Sequence, residues 1–179
     1  AIEGDTTSTD IAPAKPKTFA ELGVNPAIVK ALAEDGIVTA FPIQEQTLPL
    51  ALGGSDLIGQ AKTGTGKTLG FGIPALSRLI APGDDAWAEL PEAKKGKPAA
   101  LIIVPTRELA LQVANDLEEA GRYRGVRVLC VYGGRAYEPQ VESLQRGVEV
   151  VVGTPGRLIY LSKQGHLNLK HVATLVLDE

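Results

Sequence analysis

The sequence has few of the features that mark secreted, membrane-spanning or strongly basic proteins. It contains one cysteine, Cys130, so no disulfide can form within the chain, and this favours the reducing cytoplasm. The longest uninterrupted apolar run, residues 99–104, is far shorter than the roughly 20 residues of a membrane-spanning helix, and no signal peptide opens the chain. With 18 Lys and Arg against 21 Asp and Glu, the formal charge is −3, which argues against a clamp that holds nucleic acid by overall positive charge.

The composition that remains is that of an ordinary globular protein. Apolar residues make up 44% of the 179 residues and charged residues 22%. A chain of this length buries roughly 70% of its surface on folding, which is enough for one hydrophobic core. Residues 1–17 are rich in Thr, Ser, Asp and Pro and show no hydrophobic period, so we expect a disordered leader there. Residues 18–179 are then a single domain.

Short apolar runs alternate with helical patterns along this domain. Asn25-Pro26 supplies an N-cap and a proline at the first helical position, and Gly36 ends that helix. Further helices are predicted over residues 42–52, 66–80, 107–120, 138–146 and 155–164, and strands over residues 56–60, 99–104, 126–132, 149–152 and 174–178. The strands are apolar at consecutive positions, which is typical of parallel strands covered on both faces. The pattern predicts an α/β fold, a mostly parallel sheet with helices on both faces.

A glycine-rich segment follows the first predicted strand and opens a predicted helix. It consists of Ala61, Lys62, Thr63, Gly64, Thr65, Gly66, Lys67 and Thr68. Glycines let the backbone turn tightly and point N–H groups at phosphate oxygens, and the helix N-terminus adds partial positive charge. Lys67 can reach the terminal phosphates, and the Thr68 hydroxyl can bind Mg²⁺. Because Ala61 stands where the strict phosphate-loop pattern has glycine, a glycine-rich turn without a ligand is the alternative.

Two acidic residues follow the last predicted strand. Asp178 and Glu179 come after the apolar run 174–177, so they lie at the carboxyl end of a strand, where open α/β sheets bind ligands. An aspartate there can hold Mg²⁺ through water, and a glutamate can orient or deprotonate an attacking water. Together with the glycine-rich segment, this pair predicts a nucleotide-hydrolysing site.

Three further motifs lie between the glycine-rich segment and the two acids. They are Pro105-Thr-Arg-Glu-Leu-Ala110, Gly133-Gly134 and Thr154-Pro-Gly-Arg157. All five motifs, in their order and rough spacing, resemble the first RecA-like domain of the DEAD-box RNA helicases, a family that also has alanine at the first position of its phosphate loop. The resemblance covers residues 19–179. It implies a RecA-like P-loop NTPase fold, ATP and Mg²⁺ as cofactors, and ATP-dependent unwinding or remodelling of RNA without sequence reading.

A segment that begins at Gly36 resembles in part the adenine-binding segment of this family. Gly36, Ile43 and Gln44 agree with it, whereas Ala40 and Phe41 stand where Pro and Thr are usual. The resemblance implies that Gln44 pairs with N6 and N7 of adenine, which suits an amide because it both donates and accepts hydrogen bonds. It also implies that Phe19, an aromatic residue 17 positions before Gly36, stacks on the base. Without the resemblance, Gln44 would be a surface amide and Phe19 a core residue.

The resemblance assigns the remaining motifs to RNA. The RNA-binding residues that it implies are Pro105, Thr106, Arg107, Gly133, Gly134, Thr154, Pro155, Gly156 and Arg157. Helix starts with a threonine and exposed N–H groups bind phosphates without reading bases, although ordinary helix capping explains the same threonines. Nearby arginines either form the rim of this RNA track or belong to a solvated face, and they are Arg122, Arg124, Arg127 and Arg135.

The implied catalytic residues are Lys67, Asp178 and Glu179. Lys67 holds the phosphates, Asp178 binds Mg²⁺ together with Thr68, and Glu179 acts on the water. In this family a second RecA-like domain supplies arginines to the phosphates, and the 179 residues contain no match to it, so we expect the isolated chain to be nearly inactive. Two alternatives stay open: a different P-loop enzyme, such as a small-molecule kinase, and a nucleotide- and RNA-binding module without turnover. The oligomeric state is left open as well.

Overall fold

A parallel sheet forms the centre of the computed structural model, which describes residues 14–54 and 66–178. Its strands within those ranges are β1 (Ala100–Ile103), β2 (Val128–Val131), β3 (Val150–Gly153) and β4 (Thr174–Leu177). They lie in the order β2-β3-β1-β4, and each neighbouring pair is parallel. The predicted strand over residues 56–60 lies outside the described residues. The prediction of a parallel sheet is confirmed for the other four strands.

Helices connect and cover these strands. They are α1 (Pro26–Glu34), α2 (Pro42–Leu52), α3 (Lys67–Arg78), α4 (Arg107–Gly121), α5 (Glu138–Arg146) and α6 (Pro155–Lys163). Each lies where the sequence predicted a helix. Asn25 caps α1 as expected, because its side-chain oxygen accepts a hydrogen bond from the backbone N–H of Ala27 at 2.9 Å. In the described parts of the chain, no helix combines the length and the apolar character needed to cross a lipid bilayer.

The side chains of β1, β2 and β3 alternate between two apolar clusters, one on each face of the sheet. Ala100 and Ile102 of β1 are fully buried in the cluster that includes residues of α1, α2, α3 and α4. Leu101 belongs to the other cluster, where it packs with Leu158 and Leu161 of α6. Successive residues of a strand point to opposite faces, and helices lie on both faces of the sheet. The expectation that every strand is covered on both faces is wrong for β4, whose Leu175 and Leu177 are 59% and 70% exposed at the edge of the described sheet. The predicted α/β fold with helices on both faces is therefore confirmed.

The chain before α1 is hydrogen-bonded to the segment around the start of α2. Residues 1–13 of the predicted leader lie outside the described residues. Lys17, also within that predicted leader, donates its backbone N–H to the carboxylate of Glu45 at 2.5 Å, and its carbonyl accepts from the N–H of Ala40 at 2.8 Å. The contacts with the fold thus begin before Phe19.

A buried arginine fixes the far end of α3, the helix that begins at Lys67. Arg124 is 5% exposed and donates to the carboxylate of Asp84 at 2.8 Å. It also donates to the carbonyls of Leu76 and Leu79, at 2.6 and 2.8 Å. Carbonyls at the end of a helix lack partners within the helix. The guanidinium of Arg124 satisfies them and ties α3 to the loop that precedes β1.

Candidate nucleotide and RNA site

The four described strands end side by side at one edge of the sheet. Backbone hydrogen bonds join neighbouring ends, from Asp178 to Ile103, from Val104 to Gly153 and from Thr154 to Val131, at 2.9, 3.0 and 3.1 Å. The motifs found in the sequence begin at these ends: Asp178 after β4, Pro105 after β1, Thr154 after β3 and Gly133 after β2. Because adjacent strands lie about 5 Å apart, the motifs form one continuous row. This carboxyl edge is where open α/β sheets bind ligands.

Lys67 and Asp178 form an ion pair at one end of this row. Lys67 is the first residue of α3, and its Nζ lies 2.5 Å from Oδ1 of Asp178, whose side chain is 4% exposed. Within the described part of the chain, Oδ2 of Asp178 is buried and lacks a hydrogen-bond partner. An unpaired buried carboxylate oxygen is costly, and Mg²⁺ prefers oxygen ligands of this kind. The residues therefore fit a divalent cation, and Thr68 lies on the wall of the same cavity.

A cavity of about 1030 Å³ opens beside this ion pair. Its walls include residues 66–68 at the start of α3, residues 35–42 between α1 and α2, and Asp178. Polar side chains of α4, among them Gln112 and Asn115, also line it. A cavity of this size accommodates a ligand as large as a nucleotide. The structure thus brings the predicted phosphate-binding lysine, the metal-binding acid and the adenine-binding segment around one space.

Gln44 connects the two nucleotide-binding segments of the sequence. It is 1% exposed, its Oε1 accepts a hydrogen bond from the backbone N–H of Phe41 at 2.9 Å, and its Nε2 donates to the carbonyl of Gly66 at 2.8 Å. A side-chain amide offers two N–H donors and two lone pairs, so one of each is used by these contacts. Gln44 therefore holds the start of α2 against the start of α3, a role that the sequence analysis did not predict.

Gly66 occupies a position that only glycine fits. It caps α3 with a φ of +77°, a conformation that other L-residues rarely adopt. A Cβ built on it would overlap the amide of Gln44 and the ring of Phe41. Both the backbone and its neighbours thus require glycine here.

The predicted stacking of Phe19 on a base is contradicted by the structure. Phe19 is 1% exposed and packs within the apolar cluster of α1–α4, so its ring presents no face to a ligand. The core-residue interpretation applies to it instead. The aromatic ring at the cavity is that of Phe41, which is 51% exposed and lines the wall beside Gln44. In the sequence, Phe41 was noted only as a departure from the family's adenine-binding segment, which usually has threonine at this position.

The remaining predicted nucleotide-site residues lie outside the described residues. They are Ala61, Lys62, Thr63, Gly64, Thr65 and Glu179. Their roles in binding phosphate and in acting on water stay predictions.

The predicted RNA-binding residues surround the starts of α4 and α6 and the turn after β2. Exposed among them are Pro105, Thr106, Arg107, Gly133, Gly134, Pro155 and Gly156, whereas Thr154 and Arg157 are partly buried. The Thr106 hydroxyl accepts a hydrogen bond from the backbone N–H of Leu109 at 3.3 Å, so helix capping does explain this residue. Thr154 makes no such side-chain contact with α6. Capping therefore does not explain Thr154.

Gln140 is a residue of this surface that the sequence analysis missed. It is 8% exposed, accepts a hydrogen bond from Arg157 at 3.0 Å and donates to the carbonyl of Tyr132 at 3.4 Å. Arg157 also donates to the carbonyl of Arg135 at 2.9 Å. These contacts join the Thr154–Arg157 motif to the turn that carries Gly133-Gly134. The sequence did contain an indication of this burial, because Gln140 lies on the apolar stripe of α5 beside Val141 and Leu144.

The arginines that were expected near the RNA track divide into two groups. Arg135 lies there, because its guanidinium and that of Arg107 are each 5.6 Å from the ring centre of Tyr132. The others are engaged in ion pairs of the fold: Arg122 with Glu34, Asp35 and Glu119, Arg124 with Asp84, and Arg127 with Glu149. Arg124 is buried, so it neither forms the rim of an RNA track nor belongs to a solvated face, and both predictions are wrong for this residue.

Comparisons with known proteins agree with this arrangement. A sequence model of the DEAD/DEAH box helicase family matches residues 41–179. The DEAD-box ATP-dependent RNA helicase CshA of Streptococcus pneumoniae is 45% identical over 161 residues, which cover 90% of this chain and 28% of that protein. The DEAD-box ATP-dependent RNA helicase 9 of Oryza sativa is 47% identical over 161 residues, which cover 89% of this chain and 24% of that protein. The chain thus spans about a quarter of the length of these curated relatives.

The fold agrees with that of a solved relative. The crystal structure of a DEAD box protein from the hyperthermophile Methanococcus jannaschii superimposes with a TM-score of 0.78 at 35% sequence identity. The match covers 90% of this chain and 41% of that chain. The likeness therefore extends over nearly all of the residues described here.

Proposed function

This chain belongs to the DEAD/DEAH box helicase family, and from that premise we propose that its cavity binds ATP with Mg²⁺ while the adjoining sheet edge binds the backbone of RNA. The observation that carries the proposal is the row of strand ends. Asp178 and its partner Lys67 lie at the end of β4, and the motifs assigned to RNA begin at the ends of the next three strands. A nucleotide and an RNA strand bound along this row would contact neighbouring strand ends that are joined by backbone hydrogen bonds.

The nucleotide half of the proposal uses the start of α3 and the end of β4. Lys67 contacts the terminal phosphates, Thr68 and Asp178 hold Mg²⁺, and the N–H groups of residues 61–66 surround the phosphate oxygens. Bound there, Mg²⁺ neutralises charge on the phosphates. Lys67 is paired with Asp178 in this structure, so its contact with phosphate competes with that ion pair. Glu179, by its position in the motif, orients the attacking water.

The base of the nucleotide lies against the segment between α1 and α2. We place it beside Phe41, whose half-exposed ring offers a surface for stacking. Gln44 is as buried as Phe19 but, unlike Phe19, it lines the cavity, and it retains one amide N–H and one lone pair beyond its contacts with Phe41 and Gly66. Those two groups match the donor and acceptor that adenine presents, whereas guanine presents two acceptors. The proposal therefore includes a preference for ATP over GTP.

The RNA half of the proposal uses helix starts and arginines. The N-termini of α4 and α6 present backbone N–H groups at the sheet edge, and Arg107 and Arg157 add positive charge. Such groups bind phosphates and do not read bases. Since the relatives are several times longer, we assign strand separation to a longer protein in which a second RecA-like domain completes both sites. The single cysteine is the basis for placing that protein in the cytoplasm.

Calorimetric titration of the chain with ATP at fixed Mg²⁺ tests the nucleotide half. We expect Lys67→Ala to weaken ATP binding ten- to hundredfold, because a charge-assisted contact contributes about 1.5–3 kcal/mol. Lys163→Ala, at an exposed lysine at the end of α6, is the matched control and should bind like the unmutated chain. Unchanged affinity in a folded Lys67→Ala variant, or equal affinities for ATP and GTP in the unmutated chain, would contradict the corresponding part of the proposal.

A further inference from the structure

Two tyrosines form an exposed aromatic pair that the proposed function does not use. Tyr137 is the residue before α5 and Tyr160 lies in α6. Their ring centres are 5.4 Å apart and the ring planes meet at 64°, an edge-to-face arrangement. Tyr137 is 37% exposed and Tyr160 is 38% exposed. More than a third of the surface of each tyrosine therefore remains accessible to a ligand.

Core packing does not account for this pair. Neither tyrosine belongs to the two apolar clusters that cover the faces of the sheet. Apolar side chains that adjoin one another on a protein surface often mark a binding site. The pair is therefore a candidate for a binding surface, and its neighbours indicate which ligand it suits.

The pair lies beside the residues assigned to RNA phosphates. Tyr137 comes three residues after Gly134 in the turn that follows β2, and Tyr160 comes three residues after Arg157 in α6. Residues three apart on a helix are neighbours on its surface, and the Arg157 guanidinium lies 6.0 Å from the Tyr160 ring centre. A tyrosine hydroxyl is uncharged at neutral pH, and Tyr160 and the Glu138 carboxylate raise the pKa of Tyr137 further. An aromatic surface thus adjoins a positively charged one.

We propose that Tyr137 and Tyr160 form an aromatic platform on which a base of single-stranded RNA stacks while Arg157 and the adjacent helix start hold its phosphates. Stacking on exposed aromatic rings is a common way to bind single strands, and it tolerates any sequence because every base has a π-face. The platform adds a contact with the base to a surface that otherwise binds only backbone. The proposal rests on the RNA-binding half of the proposed function.

The experiment compares two labelled RNAs of equal length by fluorescence anisotropy at low salt. One is an ordinary single-stranded RNA and the other has abasic riboses along its length, so it keeps the phosphates and lacks the bases. The unmutated chain should bind the ordinary RNA about 5- to 100-fold more tightly, the usual range for one stacked base. In the double variant Tyr137→Ala/Tyr160→Ala that difference should disappear, and in Tyr137→Phe/Tyr160→Phe it should persist because phenylalanine still stacks.

A salt series separates stacking from phosphate binding. Loss of the two rings should leave the slope of log affinity against log salt unchanged, whereas Arg157→Gln should reduce it by roughly 0.7 for a lost phosphate contact. Tyr123→Ala is the matched control, since Tyr123 is 44% exposed but lies against Glu34 of α1. Thermal unfolding confirms that each variant is folded.

Photocrosslinking gives a direct reading of the same contact. An RNA that contains 4-thiouridine should crosslink to Tyr137 or Tyr160 and not to Tyr123. Equal affinity of the unmutated chain for the ordinary and the abasic RNA would overturn the platform and leave the RNA-binding proposal intact. Failure of the chain to bind either RNA would overturn both.

Discussion

Gly66, at the start of α3, is constrained both by its backbone conformation and by the side chains around it. Its φ of +77° is unfavourable for alanine, and a Cβ would in addition overlap Gln44 and Phe41. We expect Gly66→Ala to move the start of α3, where Lys67 and Thr68 lie, and to weaken ATP binding at least tenfold. Strain of this kind costs about 1–3 kcal/mol. Calorimetry with ATP and thermal unfolding measure the two effects.

The control for this prediction is Gly165→Ala. Gly165 also has a φ of +77°, and nothing lies within 4 Å of a Cβ built on it. Its substitution therefore introduces the backbone strain without the overlap. Gly165→Ala should lower the melting temperature and leave ATP affinity unchanged. Equal effects of the two substitutions on ATP binding would show that the overlap at Gly66 has no functional consequence.

Gln140 should matter for RNA binding although it is buried. It accepts a hydrogen bond from Arg157 and donates one to the carbonyl of Tyr132, so it orients an arginine assigned to phosphate. We expect Gln140→Leu to reduce affinity for single-stranded RNA by roughly fivefold, because one hydrogen bond contributes about 1 kcal/mol. Affinity for ATP should not change, since Gln140 does not line the cavity. Anisotropy with labelled RNA and calorimetry with ATP measure the two affinities.

Gln145→Leu is the control on the same helix. Gln145 is exposed on α5, so its substitution adds a leucine without removing a contact of Arg157. The variant Gln140→Glu keeps an oxygen that accepts from Arg157 and should retain more RNA affinity than Gln140→Leu. If Gln140→Leu and Gln145→Leu bind RNA equally well, Gln140 has no positioning role.

Single residues were the hardest to interpret from the sequence. A phenylalanine suits either a core or a base, and only the fold shows that Phe19 is buried while Phe41 faces the cavity. Gln44 lines the cavity, and its role in binding adenine stays a prediction, but its hydrogen bond to Gly66 joins residues that are 22 positions apart. Contacts of that kind depend on how elements pack, and no local pattern records them.

The C-terminal end of α3 depends on one ion pair with a definite pH response. Burial raises the pKa of Asp84, but hydrogen bonds from Arg124 and from the N–H of Ala81 outweigh it and hold that pKa below its usual value. A carboxyl group with a lowered pKa stabilises the fold above its unfolded pKa, near 4, and loses this contribution as pH falls through the folded pKa. We expect Asp84→Asn to destabilise the chain at pH 7 by about 1–3 kcal/mol, and by progressively less below pH 4.

Thermal unfolding of the unmutated chain and of Asp84→Asn between pH 7 and pH 3 measures how the difference in their stability shrinks as pH falls. Asp85→Asn is the control, because Asp85 is the exposed neighbour of Asp84 and makes no ion pair with Arg124. Its melting temperature should follow that of the unmutated chain at every pH. A constant difference between Asp84→Asn and the unmutated chain over the whole range would show that ionisation of Asp84 does not stabilise α3.

Whole elements were easier to predict than their arrangement. The bounds of α2 agree with the prediction because Pro42 and the glycines after Leu52 mark its ends. The consecutive apolar residues of β1 and β3 correctly indicated strands buried on both faces. The strand order β2-β3-β1-β4 was not predicted, because pairing between strands depends on the crossovers and leaves no periodic trace in the sequence.

At the scale of the whole molecule, the sheet edge brings together motifs that are far apart in the sequence. The start of α3 and Asp178 are more than a hundred residues apart, yet Lys67 and Asp178 are in contact. The parallel pairing of β4 with β1 and of β1 with β3 aligns the remaining motifs beside them. Backbone hydrogen bonds join these neighbouring strand ends.

The chain by itself should bind ATP but turn it over very slowly, and it should not separate an RNA duplex. Phosphoryl transfer needs positive charge on the transferred group, and an arginine in that role accelerates the reaction about 10³- to 10⁵-fold. All arginines of the sequence lie in the described residues, and none of them lines the cavity that holds Lys67 and Asp178. Steady-state ATP hydrolysis, with and without single-stranded RNA, measures turnover, and a duplex-displacement assay measures strand separation. The hydrolysis rate of the Lys67→Ala variant serves as the background rate. Turnover that RNA stimulates to the rates of roughly 1–100 s⁻¹ typical of phosphoryl-transfer enzymes would contradict this prediction, and it would mean that an arginine reaches the phosphates from elsewhere in the chain or from a second copy.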